Sequence, residues 1–255
     1  MKQNICVDVG NSCVKIGIFN LDKLEFSFQF DVSNKTSDEF YYVILNIIKS
    51  NQIEIVENNL IYSSVVPSLN LSLRSALERV FKPMNILSLQ DKIKTGLALK
   101  VDNPNEVGTD LIASMVGAKK KYGAPTIVVD TGTATKVLLL DKDNFFSGAA
   151  FMPGLVLSSL SLADKAEQLP KVALDIPKRV ASRNTIDCMN SGLIFGHADA
   201  IKGLIERFEE EIGYKCHRVI TGGVASILKD VMRTDIVYDP FLVLEGLNEI
   251  LNKNL

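Results

Sequence analysis

Short runs of β-branched and apolar residues alternate with helix-period patterns along nearly the whole chain, and that alternation predicts an α/β protein. In the first half the apolar runs place strands at 4–9, 14–20, 24–30, 60–65 and 85–89. Thr36 and Glu39 form a capping-box pattern, after which Phe40, Val43, Ile44, Ile47 and Ile48 recur on one face of a helix packed on a sheet. Pro67 followed by Leu69, Leu73, Leu77 and Val80 predicts a second helix by the same spacing. A helix starting near Thr109 leads into the second half. There, strands at 126–129, 136–140 and 218–221 alternate with helices near 155–166, 185–212, 224–232 and 241–251.

An internal repeat narrows the architecture. Residues 5–12 (ICVDVGNS) and 127–134 (IVVDTGTA) share an apolar strand, Asp, any residue, Gly, then Asn or Thr, and each leads past a lysine (Lys15, Lys136) into another apolar strand. The copies stand half a chain apart, which predicts a duplicated domain with a cleft between the copies. No low-complexity linker separates the halves; the division is placed within or just after the helix starting at Thr109, as domains 1–115 and 116–255.

The 255 residues are 47% hydrophobic, enough for one large domain or two ordinary ones. With 28 basic and 30 acidic residues the net charge is -2, so nothing predicts binding to nucleic acid or an anionic membrane, and a small molecule is the expected partner. The basic run Lys119–Lys120–Lys121 falls where the helix from Thr109 should end and suits its dipole. Cys6, Cys13, Cys188 and Cys216 form no CxxC pair and read as buried, reduced thiols. Asp8 and Gly10 interrupt the N-terminus before a signal core develops, and the weakly polar stretch from Gly148 to Ala163 carries Pro153 and Gly154, a poor membrane span. A cytoplasmic protein is expected.

The repeated hairpins carry the candidate chemistry. A strand ending in Asp and turning through Gly-Asn or Gly-Thr brings backbone N–H groups close to a phosphate, because glycine has no Cβ to hold the ligand off. The Asp can hold magnesium or its waters, and two such hairpins can clamp a triphosphate. Lys15 either reaches a phosphate or is simply solvated. Residues 103–110 (NPNEVGTD) lead through a proline turn to a helix start carrying Asp110, which is either a first-turn acid or a base for a substrate hydroxyl. Thr221-Gly222-Gly223 delivers a strand into bare backbone, either a tight turn or a resting place for adenine. His197 and His217 have no metal-ligand spacing and read as structural.

The segments DVGNS (8–12), SSVVP (63–67), NPNEVGTD (103–110) and VVDTGTAT (128–135) are joined by Pro153-Gly154, Leu169-Pro170, Asn184-Thr185, Thr221-Gly222-Gly223 and DPFLVLEGL (239–247). Together and in this order they resemble type III pantothenate kinases over essentially the full chain. The resemblance implies a duplicated ribonuclease-H-like fold of the actin/sugar-kinase type, with mixed sheets and an ATP cleft. It also implies a homodimer, ATP and pantothenate as substrates, and a need for Mg2+ and a monovalent cation, K+ or NH4+. It assigns Asp8, Val9, Gly10, Asn11, Ser12, Cys13, Val14 and Lys15 to the first phosphate segment and Thr133 to an ATP contact. Val101, Gly108, Thr109, Asp110, Leu111 and Thr185 fall at the pantothenate site. Asp110 matches the catalytic base and Asp130 the monovalent-cation ligand.

The chain departs from the family pattern at four places. Val101 stands where many relatives have tyrosine, Leu111 where the family has arginine, Lys136 where a threonine extends the second hairpin, and Ser147-Gly148 where a Gly pair is usual. Pantothenate phosphorylation is therefore the leading expectation. Phosphorylation of another small hydroxyl compound, or a catalytically weak nucleotide-binding accessory role, are the alternatives. Arg183 and Lys136 are candidate replacements for the missing cation.

Overall fold

The computed structural model describes residues 2–32, 36–91 and 93–255. The first half runs β1 (Gln3–Val9), β2 (Cys13–Asn20), β3 (Lys23–Asp31), α1 (Ser37–Ser50), β4 (Asn58–Ser64), α2 (Asn70–Phe81), β5 (Ile86–Ser88), β6 (Ala98–Leu99) and α3 (Thr109–Tyr122). The second runs β7 (Thr126–Thr131), β8 (Ala134–Leu140), β9 (Phe145–Pro153), α4 (Leu155–Lys165), α5 (Thr185–Asn190), α6 (Gly196–Ile212), β10 (His217–Thr221), α7 (Ala225–Met232), β11 (Val237–Tyr238) and α8 (Leu242–Asn252).

Two compact units result. One comprises Met1–Leu97, Asn105–Lys120 and Leu242–Leu255, the other Ala98–Pro104 and Lys121–Phe241. In the first, the sheet order is β3-β2-β1-β4-β5, with β1, β2 and β3 antiparallel and β4 and β5 parallel to β1. The second repeats that plan as β9-β8-β7-β10-β11, again three antiparallel strands followed by two parallel ones, with β6 added outside β9. The half-chain sequence repeat is thus a repeat of topology, the duplicated ribonuclease-H-like plan of actin-type and sugar-kinase proteins.

The strand carrying the first motif is covered on both faces, which is why it reads as a nearly unbroken apolar run. Ile5, Val7 and Val9 pack with Phe40, Ile44 and Ile48 of α1 and Leu73, Leu77 and Phe81 of α2. Each such fully buried side chain contributes about 1.5–3 kcal/mol. On α1 the capping box is formed as the sequence predicts: the Thr36 hydroxyl accepts from the Glu39 N–H, and the Glu39 carboxylate accepts from the Thr36 N–H. Against the central strands β1, β4 and β2 of this sheet lies α8, held by polar contacts as well as apolar ones. Asn4 donates to Asn248 and Asn252 at 2.7 Å, and Asn248 donates to the Leu21 carbonyl at 2.8 Å. In the second unit Ile127 and Val129 of β7, Val137 and Leu139 of β8 and Ile220 of β10 pack against α6 and α7 through Ile201, Ile205, Leu228 and Met232.

Three strands were not legible. β9 contains Ser147, Gly148, Ala149 and Ala150, residue types that give no strand signal, and only its pairing with β8 extends it. β6 and β11 are two-residue strands supplied by their neighbours. The helix expected over 185–212 begins and ends there, but a single π turn at Ser191–Phe195 divides α5 from α6. Among the described residues no helix is long and apolar enough to cross a membrane.

The cysteine expectation needs correction. All four are free, but only Cys6 is buried; Cys13 and Cys216 are half-buried and Cys188, on the outer face of α5, is exposed. The lysine run also does more than face a helix dipole. Lys119 donates to the Gly96 carbonyl, Lys120 bridges Asp22 and Glu249, and Lys121 pairs with the buried Asp239, which also accepts from the Tyr122 hydroxyl.

Candidate functional site

In the first unit the β1–β2 register sets Asp8 across from Lys15, with Val9 across from Val14. The turn between them is closed by the Gly10 N–H donating to the Cys13 carbonyl at 3.0 Å, and Val32 N–H donates to the Ser12 carbonyl at 3.0 Å, fixing β3 beside it. Asn11 and Ser12 stand exposed at the tip while Asp8 is buried at 8% exposure. Burial raises the Cys13 thiol pKa, with Lys15 lowering it and Asp8 and Asp31 adding to the rise. This cysteine therefore stays a thiol at neutral pH.

On the other side of β1, β4 runs parallel and brings Ser63 alongside Asp8 and Ser64 alongside Val9. Ser63 Oγ donates to Thr109 Oγ1 at 2.9 Å, so the first turn of α3 is tied to the strand next to the first hairpin. The structure thereby gathers Asp8 to Lys15 and Gly108 to Leu111, which lie far apart in sequence, at one end of one sheet. A Cβ on Gly108 would lie 2.6 Å from Asp110 Oδ1, so the missing side chain leaves room for the carboxylate over the turn. The Gly108 carbonyl accepts from the N–H groups of Leu111 and Ile112 at 3.1 Å. Asp110 is half-buried, and Leu111 is buried at 6% exposure. The Ser63–Thr109 link is the part of this site that the sequence reading missed, because nothing local pairs a strand-end serine with a helix-start threonine.

The second hairpin is one residue shorter. Asp130 of β7 pairs with Lys136 of β8, Thr131 with Thr135, and the turn is Gly132-Thr133. Lys136 Nζ lies 3.1 Å from Asp130 Oδ2, forming an ion pair with side-chain exposures of 18% and 16%. Thr133 is exposed at the tip. Two glycines hold this turn in place. Gly154, the N-cap of α4, donates its N–H to the Thr133 carbonyl at 3.0 Å, and a Cβ on it would collide with the Gly132 and Thr133 carbonyl oxygens. Gly222, at φ +104°, lies against Thr131, where a Cβ would sit 2.7 Å from the backbone nitrogen; Thr131 Oγ1 donates to the Thr221 carbonyl at 2.8 Å. Gly222 is thus a packing residue, whereas a Cβ on Gly223 would meet nothing within 4 Å. Thr135 Oγ1 and His197 Nε2 are 2.9 Å apart, and burial pushes the His197 pKa down, keeping the ring neutral.

Two predicted substrate residues lie elsewhere in the second unit. Val101 follows β6 and is half-buried; Thr185 opens α5, exposed, behind the Asn184 N-cap whose side chain accepts from the Asp187 N–H at 2.9 Å. Arg183 is exposed just before them. Among the described residues no cluster of three or more His, Cys, Asp or Glu side chains could hold a metal alone. Single carboxylates such as Asp8 still fit magnesium, which commonly uses one or two carboxylates together with substrate phosphates and water.

A family model for type III pantothenate kinase matches residues 4–207, a span containing both hairpins, Gly108 to Leu111 and Thr185. Solved structures are similar in fold at low identity. A Campylobacter jejuni protein assigned to the Baf family of transcriptional activators is 19% identical, with 98% of each chain covered and a TM-score of 0.61. The ethanolamine utilization protein EutJ of Carboxydothermus hydrogenoformans is 12% identical, covering 97% of this chain and 89% of that one at a TM-score of 0.56. Component A of the Acidaminococcus fermentans (R)-2-hydroxyglutaryl-CoA dehydratase is 14% identical, covering 98% and 96% at a TM-score of 0.54.

Proposed function

The chain belongs to the type III pantothenate kinase family, and from that membership we propose that it transfers the γ-phosphate of ATP to pantothenate, giving 4′-phosphopantothenate for coenzyme A biosynthesis. The observation that carries this reading is the tie between Ser63 and Thr109. It sets the helix start bearing Asp110 at the same sheet end as the first phosphate hairpin.

In this mechanism the backbone N–H groups at the Asn11-Ser12 tip and those of the Thr133 turn hold the phosphates, and Lys15 adds a point charge. Asp8 would hold Mg2+ or its waters, and the bound ion would supply charge neutralisation at the phosphate oxygens. Asp110 accepts the proton of the pantothenate hydroxyl as that oxygen attacks. Gly108, lacking a Cβ, leaves room for that carboxylate beside the turn. Leu111 offers the substrate only apolar contact, so the substrate carboxylate needs a cation from elsewhere in the chain. The adenine lies over Gly223, the glycine of the pair with open space beside it.

A cytoplasmic homodimer follows the same family reading. An apolar face on α4 supports it, since Val156, Leu157 and Leu160 share one side of the helix at 44–48% exposure and Phe151 of β9 is 63% exposed. Asp130 fits a soluble monovalent cation poorly, because Lys136 already sits on its carboxylate.

A coupled ADP-release assay with pantothenate, Mg2+ and ATP tests the proposal. Pantothenate-dependent release supports it. Release only with another hydroxyl acceptor moves the substrate, and nucleotide binding without turnover on any acceptor makes the chain an accessory protein.

A further inference from the structure

Asp130 and Lys136 are directly opposed across the second hairpin, three residues on either side of the exposed Thr133. Their ion pair at 3.1 Å is largely withdrawn from solvent. The hairpin cannot turn this carboxylate away, because its turn is wedged between Gly154 and Gly222 and its strand is hydrogen-bonded to Thr221. A bare carboxylate fixed so near a phosphate-binding turn would repel an incoming triphosphate, so the position calls for a cation.

A lysine ammonium and a potassium ion carry the same charge and both bind carboxylate oxygens. The tethered ammonium has the advantage, since the fold fixes its local concentration whatever the surrounding salt. A second cation brought to the same carboxylate would meet a like charge in a site where screening is weak. A threonine at this position, as in the family pattern, could lend only a hydroxyl.

We propose that Lys136 is a built-in replacement for the soluble monovalent cation at Asp130, and that nucleotide binding by this chain is independent of potassium. The proposal rests on the nucleotide-binding reading of the hairpin, and its test separates the two. The full chain, with Mg2+, is titrated calorimetrically with a non-hydrolysable ATP analogue in sodium, potassium and choline chloride at equal ionic strength. Binding of thallium(I), a potassium surrogate, is followed separately by thallium NMR without nucleotide.

The wild-type Kd should change by less than about twofold among the salts, with no saturable thallium binding. Lys136→Thr should bind the analogue about tenfold or more weakly in choline, recover in potassium, and bind thallium. Lys136→Met, which keeps the apolar stem and removes the charge, replaces it should the threonine variant fail to fold. Saturable thallium binding by the wild type, or a tenfold gain from potassium, overturns the proposal. So do folded variants that ignore both ions. If no form binds nucleotide, the kinase reading fails by itself, and thallium binding by the variants but not the wild type still decides what Lys136 does.

Discussion

Asp110 and Leu111 are neighbours in different surroundings, one half-buried over a glycine turn and the other buried at 6% exposure. Asp110→Asn keeps the shape but cannot take a proton. It should leave ATP-analogue affinity unchanged while lowering turnover by about 10²–10⁴-fold, and single-turnover kinetics showing near-normal rates would remove Asp110 from the mechanism. Leu111→Arg restores the family's cation at a cost that burial makes measurable. Without substrate the guanidinium is desolvated and unpaired, so the melting temperature should fall. Pantothenate should then raise it by more than in the wild type, and apparent substrate affinity should improve about 10- to 150-fold, the worth of one charged hydrogen-bonding partner. A variant that pantothenate does not protect would place the substrate carboxylate elsewhere. Both residues, and Lys136, are conspicuous in the sequence; that Lys136 holds Asp130 appears only once the strand register is set.

Among the elements, the second hairpin owes its position to contacts with α4 and β10 that no local pattern announces. Gly154→Ala forces the α4 N-terminus away from the Thr133 carbonyl, and should destabilise the protein by about 1–3 kcal/mol in urea unfolding while weakening nucleotide binding. Gly203, inside α6 with open space around its Cβ position, serves as the contrast: Gly203→Ala should stabilise by about 0.5–1 kcal/mol. If the two substitutions behave alike, the wedge at Gly154 is not what holds the hairpin. The amphipathic helices were legible because their burial follows the helical period of the sequence, as Phe40, Ile44 and Ile48 show. β9 was not, since its strand character comes from its partner and not from its residues.

At the scale of the whole molecule, acid stability should depend on one carboxylate in the second unit. Glu209, 3% exposed, accepts from Arg218 through both oxygens, at 3.1 and 2.7 Å, from Lys215 at 2.7 Å and from the Cys216 N–H at 3.2 Å. Burial alone would raise its pKa, but these donors outweigh it and hold the value at about 2, against an ordinary 4.5. Because the unfolded chain binds the proton more readily, the stabilisation is complete above the ordinary value and is lost as pH falls through 4.5 towards 2. It amounts to about 3 kcal/mol. Glu209→Gln should be less stable at neutral pH, and its deficit relative to the wild type should shrink by about that amount between pH 5 and pH 2 in urea titrations. A constant deficit would show that the ion pair is not the acid-sensitive contact.

The sequence by itself determined the duplicated α/β plan, the two Asp hairpins and the helix start bearing Asp110. Each is written in short-range terms: alternating apolar periods, a glycine after a strand-end acid, a capping residue before a helix. Which distant pieces meet was decided only by the tertiary structure. Ser63 lies beside Asp8 because β4 runs parallel to β1, and it ties Thr109 to that strand end, while α8 returns to the first unit through Asn4 and Asn248. Contacts of this kind depend on the three-dimensional register of buried faces, where one residue of shift would separate both partners, and no local pattern encodes that register.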